Sequence, residues 1–263
     1  MKLAKFWVRE TGQATTADGE DFELSVRGWS NESLDAARAS AREAIKRIAA
    51  VFVSGQRPKS QYTYGDRALA EPILREFTDG GDGPMAIVTR NRYGADVLNT
   101  RDLMFVDVDS EAESRATLSK IERVALDNQL AVRVYRTAAG YRVLILNRRF
   151  KAGSPESESI LAQFGSDPLY VKLCKIQDSF RARLTPKPWR CGLRMLKVGF
   201  PFTGPYDEER FQEWKAQYDK KCTPYATCKF LASHGGFDIE PAFKELVELH
   251  DQHTKASSSL PLA

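Results

Sequence analysis

The order of strands and helices predicted for the middle of the chain constrains its fold most strongly. Six segments there alternate between the period of a strand and the period of a helix. The strands are predicted at 103–108, 131–136, 141–147 and 180–184, and the helices at 111–127 and within 155–176, with a break at 165–168. This β-α-β-β-α-β order is the split βαβ arrangement of RNA-recognition and ferredoxin-like folds. We therefore expect an α+β protein with a βαββαβ core.

The sequence predicts further modules on both sides of this core. An N-terminal α/β module should contain a hairpin, a helix from Leu34 toward Gly55, a loop at 56–66 and a short helix at 68–77. The glycine-rich run at 79–84 is the strongest breaker in the chain and marks either a module boundary or a loop. The expected modules are 1–84 for the N-terminal part, 85–205 for the RNA-recognition-like part, and 206–263 for a helical C-terminal extension with a frayed tail.

Basic residues are concentrated in the middle of the chain. The net charge is only +4, from 39 basic and 35 acidic residues, but 131–155 carries six basic residues and no acidic one. Segment 171–197 adds eight basic residues against the single acid Asp178. Such a band favours a polyanion or a phosphate-bearing ligand as partner. The alternative is an ordinary solvated surface whose charges are balanced by neighbours in space.

Composition excludes several other classes. No uncharged apolar run approaches the roughly 20 residues of a membrane span, so we expect no contact with a membrane. The first ten residues lack the apolar stretch of a secretory signal. We therefore expect a cytoplasmic protein whose four cysteines are reduced.

Two carboxylates end the first strand of the predicted core. Met104, Phe105 and Val106 lead directly to Asp107, and strand alternation places Asp107 and Asp109 on the same face. Two adjacent carboxylates repel each other unless a cation lies between them, and hard oxygen ligands suit Mg²⁺ or Mn²⁺. The alternative is that these residues only begin a turn and cap the next helix.

Three motifs resemble those of archaeo-eukaryotic primases and primase-polymerases. They are the strand with Asp-x-Asp, the hairpin Val134-Tyr135-Arg136-Thr137-Ala138-Ala139-Gly140-Tyr141-Arg142, and Asp178 followed by Phe180-Arg181-Ala182-Arg183. The resemblance covers about 85–200. It implies an RNA-recognition-like catalytic module in which Asp107, Asp109 and Asp178 hold divalent metal and catalyse nucleotidyl transfer. It also implies that a nucleoside triphosphate or nucleic acid is the partner.

The second motif departs from the family pattern. Where the family has a histidine that contacts the triphosphate, this chain has Arg142, which can bind phosphate but cannot act as a neutral donor or acceptor. We expect the hairpin turn at 137–140 to deliver Arg136 and Arg142 to the side of the carboxylates. The alternatives to nucleotidyl transfer are a catalytically inactive nucleic-acid-binding module on the same scaffold and a metal-dependent nuclease or phosphohydrolase.

The last predicted strand and the segment after it combine basic residues with a tryptophan. Arg181 and Arg183 alternate with apolar residues, and Lys187 and Arg190 flank Trp189 in a stretch stiffened by Pro186 and Pro188. Phosphate pairing and base stacking would let this segment bind a nucleotide or a strand. Alternatively, Trp189 fills the core while the arginines pair with acids.

A zinc site is the weaker metal hypothesis. Cys222, Cys228 and His234 have the spacing C-x5-C-x5-H, with Cys191 as a distant fourth ligand. This spacing is looser than the two to four residues usual between paired cysteine ligands. The expected cofactor therefore remains Mg²⁺ or Mn²⁺.

Overall fold

The computed structural model describes residues 1–54, 69–110 and 113–263, which form a mixed α+β structure with three antiparallel sheets and six α-helices. No helix among these residues is both long and apolar enough to cross a membrane. Two compact units are present. The first contains Met1, Ile73–Met195 and Trp214–Ala263, and the second contains Lys2–Pro72 and Leu196–Glu213. The loop expected at 56–66 lies outside the described residues.

The second unit is built on the predicted N-terminal hairpin. Strands β1 (Phe6–Thr15) and β2 (Asp21–Ser30) pair along their full length, and helix α1 (Leu34–Val53) packs on them. Ser33 caps α1 by accepting from Ala36 N–H. A Cβ at Gly28 would lie 2.1 Å from Ala37 O, so glycine is what allows this close approach of strand and helix.

The first unit contains two four-stranded sheets. One has the order β10-β7-β8-β6 and the other the order β3-β4-β5-β9. The bounds of the strands are β3 Ile73–Phe77, β4 Ala86–Arg90, β5 Asp96–Thr100, β6 Phe105–Asp109, β7 Val132–Thr137, β8 Gly140–Ile145, β9 Phe180–Arg183 and β10 Cys228–His234. The short helix predicted at 68–77 is wrong, because Ile73–Phe77 pairs with β4 as a strand. The glycine-rich run at 79–84 is the connection within that pair.

The order of elements predicted for the core is present along the chain, but its last strand is in the other sheet. β9 follows β6, a helix, β7, β8 and two further helices in the expected order, yet it pairs with β5 and not with β6. Within the first sheet, β8 lies between β6 and β7 and pairs antiparallel with both. The edge beyond β7 is occupied by β10, a strand that the sequence did not predict.

The helices are capped by residues that the sequence makes recognisable. Helix α2 (Arg115–Asp127) is N-capped by Ser114. Helix α3 (Pro155–Phe164) has Ser154 as its N-cap and Gly165 as its C-cap. Helix α4 (Pro168–Gln177) has Asp167 as its N-cap and Asp178 as its C-cap. The break predicted at 165–168 is confirmed, since Gly165 adopts the left-handed conformation and Pro168 begins the next helix. Helices α5 (Pro205–Cys222) and α6 (Lys244–Thr254) follow later in the chain.

Candidate functional site

Asp107 and Asp109 lie on one face of β6, as strand alternation predicts. In the register with β8, Asp107 is opposite Arg142 and Asp109 is opposite Gly140. Asp107 is half-buried and Asp109 is exposed, whereas Val108 between them is buried in the core. Val106 and Val108 thus pack one face of the strand into the core, and Asp107 and Asp109 lie on the other face.

Arg142 lies beside this pair and is buried. Its side chain is 4% exposed, and Nη1 donates to the carbonyl oxygen of Arg183 at 2.9 Å. The same nitrogen lies 3.2 Å from His250 Nε2. Because Arg183 belongs to β9, this contact links the sheet that carries the carboxylates to the sheet that carries the basic residues.

Two basic residues, Arg183 on β9 and Lys187 in the following segment, interact electrostatically with the carboxylates. The pKa of Arg183 is lowered to about 10, chiefly by burial and also by the charge of Arg142, while Asp107 opposes both effects. The pKa of Lys187 is lowered by burial and by Arg183 and Arg190, and it is raised by Asp107 and Asp109. The groups are therefore close enough to act on one another. We call Asp107, Asp109, Arg142, Arg183, Lys187 and Arg190 the charged cluster.

Asp167 is an acid of this region that sequence reasoning missed. Its backbone N–H donates to Asp107 O at 2.9 Å, and its carboxylate caps α4 by accepting from Leu169 N at 3.0 Å and Tyr170 N at 3.2 Å. Burial raises the pKa of Asp109, and the charges of Asp107 and Asp167 raise it further. The sequence predicts only a helix break at 165–168, because nothing local to Asp167 shows that α4 begins beside β6.

Asp178, the third expected metal ligand, ends α4. It adopts a left-handed conformation with φ of 50°, and its Oδ2 accepts from the α-amino group of Met1 at 3.1 Å. In the part of the chain that the structure describes, no group of three or more His, Cys, Asp or Glu side chains is arranged to hold a metal ion. A role for Asp178 beside Asp107 and Asp109 stays a prediction.

The expected placement of Arg136 is wrong. Thr137 pairs with Gly140, so the turn is Ala138-Ala139, and Arg136 is opposite Tyr141 while Tyr135 is opposite Arg142. Arg136 and Arg142 therefore lie on opposite faces, because a register that differs by one residue exchanges the faces of a strand. Arg136 Nη1 donates to Gly140 O at 2.7 Å, and its guanidinium carbon lies 5.0 Å from the centre of the Tyr141 ring.

Arg181 and Trp189 complete the basic segment. Arg181 shares a face of β9 with Arg183, and its Nη1 donates to Gln177 Oε1 at 3.1 Å. Trp189 lies in a short 3₁₀ helix, Pro188–Cys191, and is 46% exposed. The alternative in which Trp189 fills the core is therefore wrong.

The four residues of the zinc hypothesis do not all lie close to one another. Cys191 and Cys222 are neighbours, with 3.0 Å between their sulfur atoms, and burial raises the pKa of Cys222 to about 12. Cys228 and His234 lie at opposite ends of β10, roughly 20 Å apart for a strand of this length. One ion cannot reach both of them.

No family model, no curated protein and no solved structure matches this chain.

Proposed function

We propose that the charged cluster binds the phosphate groups of a nucleoside triphosphate together with divalent metal, and that it serves nucleotidyl transfer of the primase-polymerase type. The observation that carries this proposal is the arrangement of two carboxylates on one strand face, with Arg142 opposite Asp107 and with Arg183 and Lys187 within electrostatic reach. Carboxylates without a bound cation repel a triphosphate, and basic residues that only bind phosphate need no carboxylates beside them. Their combination suits a ligand that carries both phosphate and a cation.

The donor set fits Mg²⁺ or Mn²⁺. Magnesium is commonly held by one or two carboxylates, with phosphate oxygens and water completing its shell, so Asp107 and Asp109 suffice as protein ligands. Burial raises the pKa of Asp109, and the negative charges of Asp107 and Asp167, which a cation would neutralise, raise it further. When bound, such an ion supplies charge neutralisation at the reacting phosphate and helps align the attacking hydroxyl.

The basic residues divide into two roles. Lys187 and Arg190 are partly exposed and follow β9 on a proline-stiffened segment, so they are placed to bind phosphate oxygens. Arg142 is buried and donates to the backbone of β9, so it positions the two sheets and balances the charge of Asp107. The proposed fold is a divergent RNA-recognition-like core in which β6, β8 and β7 provide the sheet beneath the site.

The burial of Arg142 favours a second candidate, a nucleic-acid-binding module without catalysis. In the resembling family this position is a histidine that reaches the triphosphate. Here Nη1 of Arg142 is bonded to Arg183 O, and the side chain is 4% exposed. Such a residue contributes structure and charge more than direct contact with a reacting phosphate.

Calorimetric titration with a non-hydrolysable nucleoside triphosphate, in Mn²⁺ and in chelator, tests the proposal. We expect Mn²⁺ to strengthen binding to the wild type, and Asp107→Asn and Asp109→Asn to remove that gain. Lys187→Met should weaken binding roughly 10- to 100-fold, the usual loss for one charged hydrogen bond. Arg136→Met, on the opposite face, is the matched control and should bind as the wild type does. Binding that is independent of Mn²⁺ and unchanged in Asp107→Asn would overturn the proposal.

Primer extension separates the two candidates. The enzyme should extend a primer on a template in Mn²⁺, and Asp107→Asn should not. Metal-dependent nucleotide binding with no extension by the wild type would favour the non-catalytic module. Asp178→Asn tests the remaining predicted ligand, because a loss equal to that of Asp107→Asn would include it in the site.

A further inference from the structure

Trp189 and Tyr93 form an aromatic pair next to the charged cluster. Their ring centres are 5.3 Å apart and their planes are perpendicular, so the edge of one ring meets the face of the other. Trp189 is 46% exposed and Tyr93 is half-buried. A large indole left this accessible, with another aromatic ring behind it, is an arrangement that suits a flat ligand.

Both rings are held on well-fixed backbone. Tyr93 lies in the tight turn between β4 and β5, where Asn91 Oδ1 accepts from Tyr93 N at 2.9 Å and from Ala95 N at 3.2 Å. Trp189 follows Pro188 in the 3₁₀ helix, in which Arg190 N donates to Lys187 O at 2.9 Å. Little conformational freedom would be lost when a ligand binds to rings supported in this way.

Cations surround the pair, and one of them belongs to the charged cluster. Lys187 Nζ lies 5.4 Å from the centre of the Trp189 ring, while the guanidinium carbon of Arg92 lies 4.8 Å from the centre of the Tyr93 ring. The pKa of Lys187 also responds to Asp107 and Asp109. Lys187 therefore contacts the indole and also interacts electrostatically with the two carboxylates.

We propose that Trp189, supported by Tyr93, stacks on a nucleobase whose phosphate group is bound at Lys187. A nucleotide carries a flat aromatic ring and a phosphate group within a single unit, so it is the ligand class that matches both features. The inference rests on the proposed function and names the base-binding part of that site. A nucleobase can come from a free nucleoside triphosphate or from a single strand, since both have the same stacking face.

Binding of three ligands in Mn²⁺ tests this inference. They are inorganic tripolyphosphate, a non-hydrolysable nucleoside triphosphate, and a fluorescent oligo-dT strand. Trp189→Ala should weaken binding of the nucleotide, the strand, or both by roughly 5- to 100-fold, the loss expected for one base stack. Its binding of tripolyphosphate should stay at the wild-type level, whereas Lys187→Met should weaken all three. Trp189→Phe, which keeps a stacking face, should recover most of the affinity.

A matched control is available on another strand of the same unit. Phe230 on β10 is 37% exposed, and the guanidinium carbon of Arg133 lies 4.2 Å from the centre of its ring. Phe230→Ala removes an exposed aromatic with a cation beside it, and we expect no change in the binding of any ligand. Thermal melting checks that both alanine variants are folded.

The outcomes distinguish a failure of the base-stacking inference from a failure of the proposed function. Loss of nucleotide binding alone assigns the platform to the incoming nucleotide, and loss of strand binding alone assigns it to a strand; both support the inference. If Trp189→Ala binds all three ligands as the wild type does, while Asp107→Asn still loses metal-dependent tripolyphosphate binding, the inference is wrong and the proposed function stands. If the wild type binds none of the ligands, both are wrong.

Discussion

His250 shows how much a single buried residue depends on its partners. Its Nε2 faces Arg142 Nη1, which can only donate, so the ring accepts there and carries its proton on Nδ1. Nδ1 lies 3.0 Å from Asp251 Oδ1, which also accepts from Tyr135 Oη at 2.6 Å. A neutral histidine thus connects the positive charge of Arg142 with a carboxylate.

The stability of the protein should fall below pH 6.5 because of this histidine. The pKa of His250 is lowered from a usual value of 6.5 to about 4, chiefly by burial and also by the charges of Arg142 and Arg133, while Asp251 opposes them. Between pH 6.5 and 4, His250 therefore binds a proton in the unfolded chain but not in the folded protein. The folded protein loses stability as the pH falls through this range. The difference corresponds to roughly 3 kcal/mol of unfolding free energy.

Urea unfolding at a series of pH values measures this effect. We expect His250→Gln to be less stable than the wild type at pH 7 and to have a much flatter dependence between pH 6.5 and 4. His253→Gln, at an exposed position of the same helix, is the control and should keep the wild-type slope. Equal slopes for all three proteins would show that His250 is protonated without cost in the folded state.

The start of β8 lies close against the end of β6, where Gly140 pairs with Asp109. A Cβ at Gly140 would lie 1.9 Å from Val108 O and 2.9 Å from the Cα of Asp109, both on the backbone of β6. Gly140→Ala should therefore push the end of β6 away and lower stability by about 2 kcal/mol or more. It should also weaken metal-dependent nucleotide binding, since Asp109 moves with that backbone.

Chemical unfolding and nucleotide titration of the same variant check this prediction. Gly236→Ala is the matched control, because nothing lies within 4 Å of the Cβ it would add. We expect the control to retain both stability and binding. A stable Gly140→Ala protein with normal binding would mean that the strand ends can separate freely.

Local sequence patterns predicted most elements but not how they are assembled. The apolar run before Asp107 predicted β6, and Gly165 and Pro168 predicted the break between α3 and α4, because each signal lies within a few residues of its effect. Ile73–Phe77 contains good helix formers, but pairing with β4 overrides that preference. The face of Arg136, the partner of β9 and the position of Asp167 depend on register or distant pairing, which no local pattern encodes.

For the whole molecule, affinity for a single strand should depend on the exposed basic residues rather than on the carboxylates. Each phosphate contact contributes roughly 0.7 to the slope of log affinity against log salt. Lys187→Ala/Arg190→Ala should therefore reduce the slope by about 1.4 in chelator. Asp107→Asn should bind as tightly as the wild type or more tightly, since a carboxylate without a cation repels phosphate.

Fluorescence anisotropy across a salt series measures these slopes. Arg148→Ala/Lys151→Ala makes the same change in net charge outside the cluster and should leave the slope unchanged. If all variants share one slope, the basic band is solvated surface and does not contact phosphate.

The proposed site is shared between two sheets, and this has a consequence for its dynamics. The acids are on β6, whereas Arg183 is on β9 and Lys187 and Arg190 follow it, so neither sheet has a complete site. Any opening that moves the two sheets apart therefore separates the cation-binding groups from the phosphate-binding groups. In hydrogen exchange, the amides of β6 and β9 should therefore open together, and a bound nucleotide with metal should slow both by the same factor.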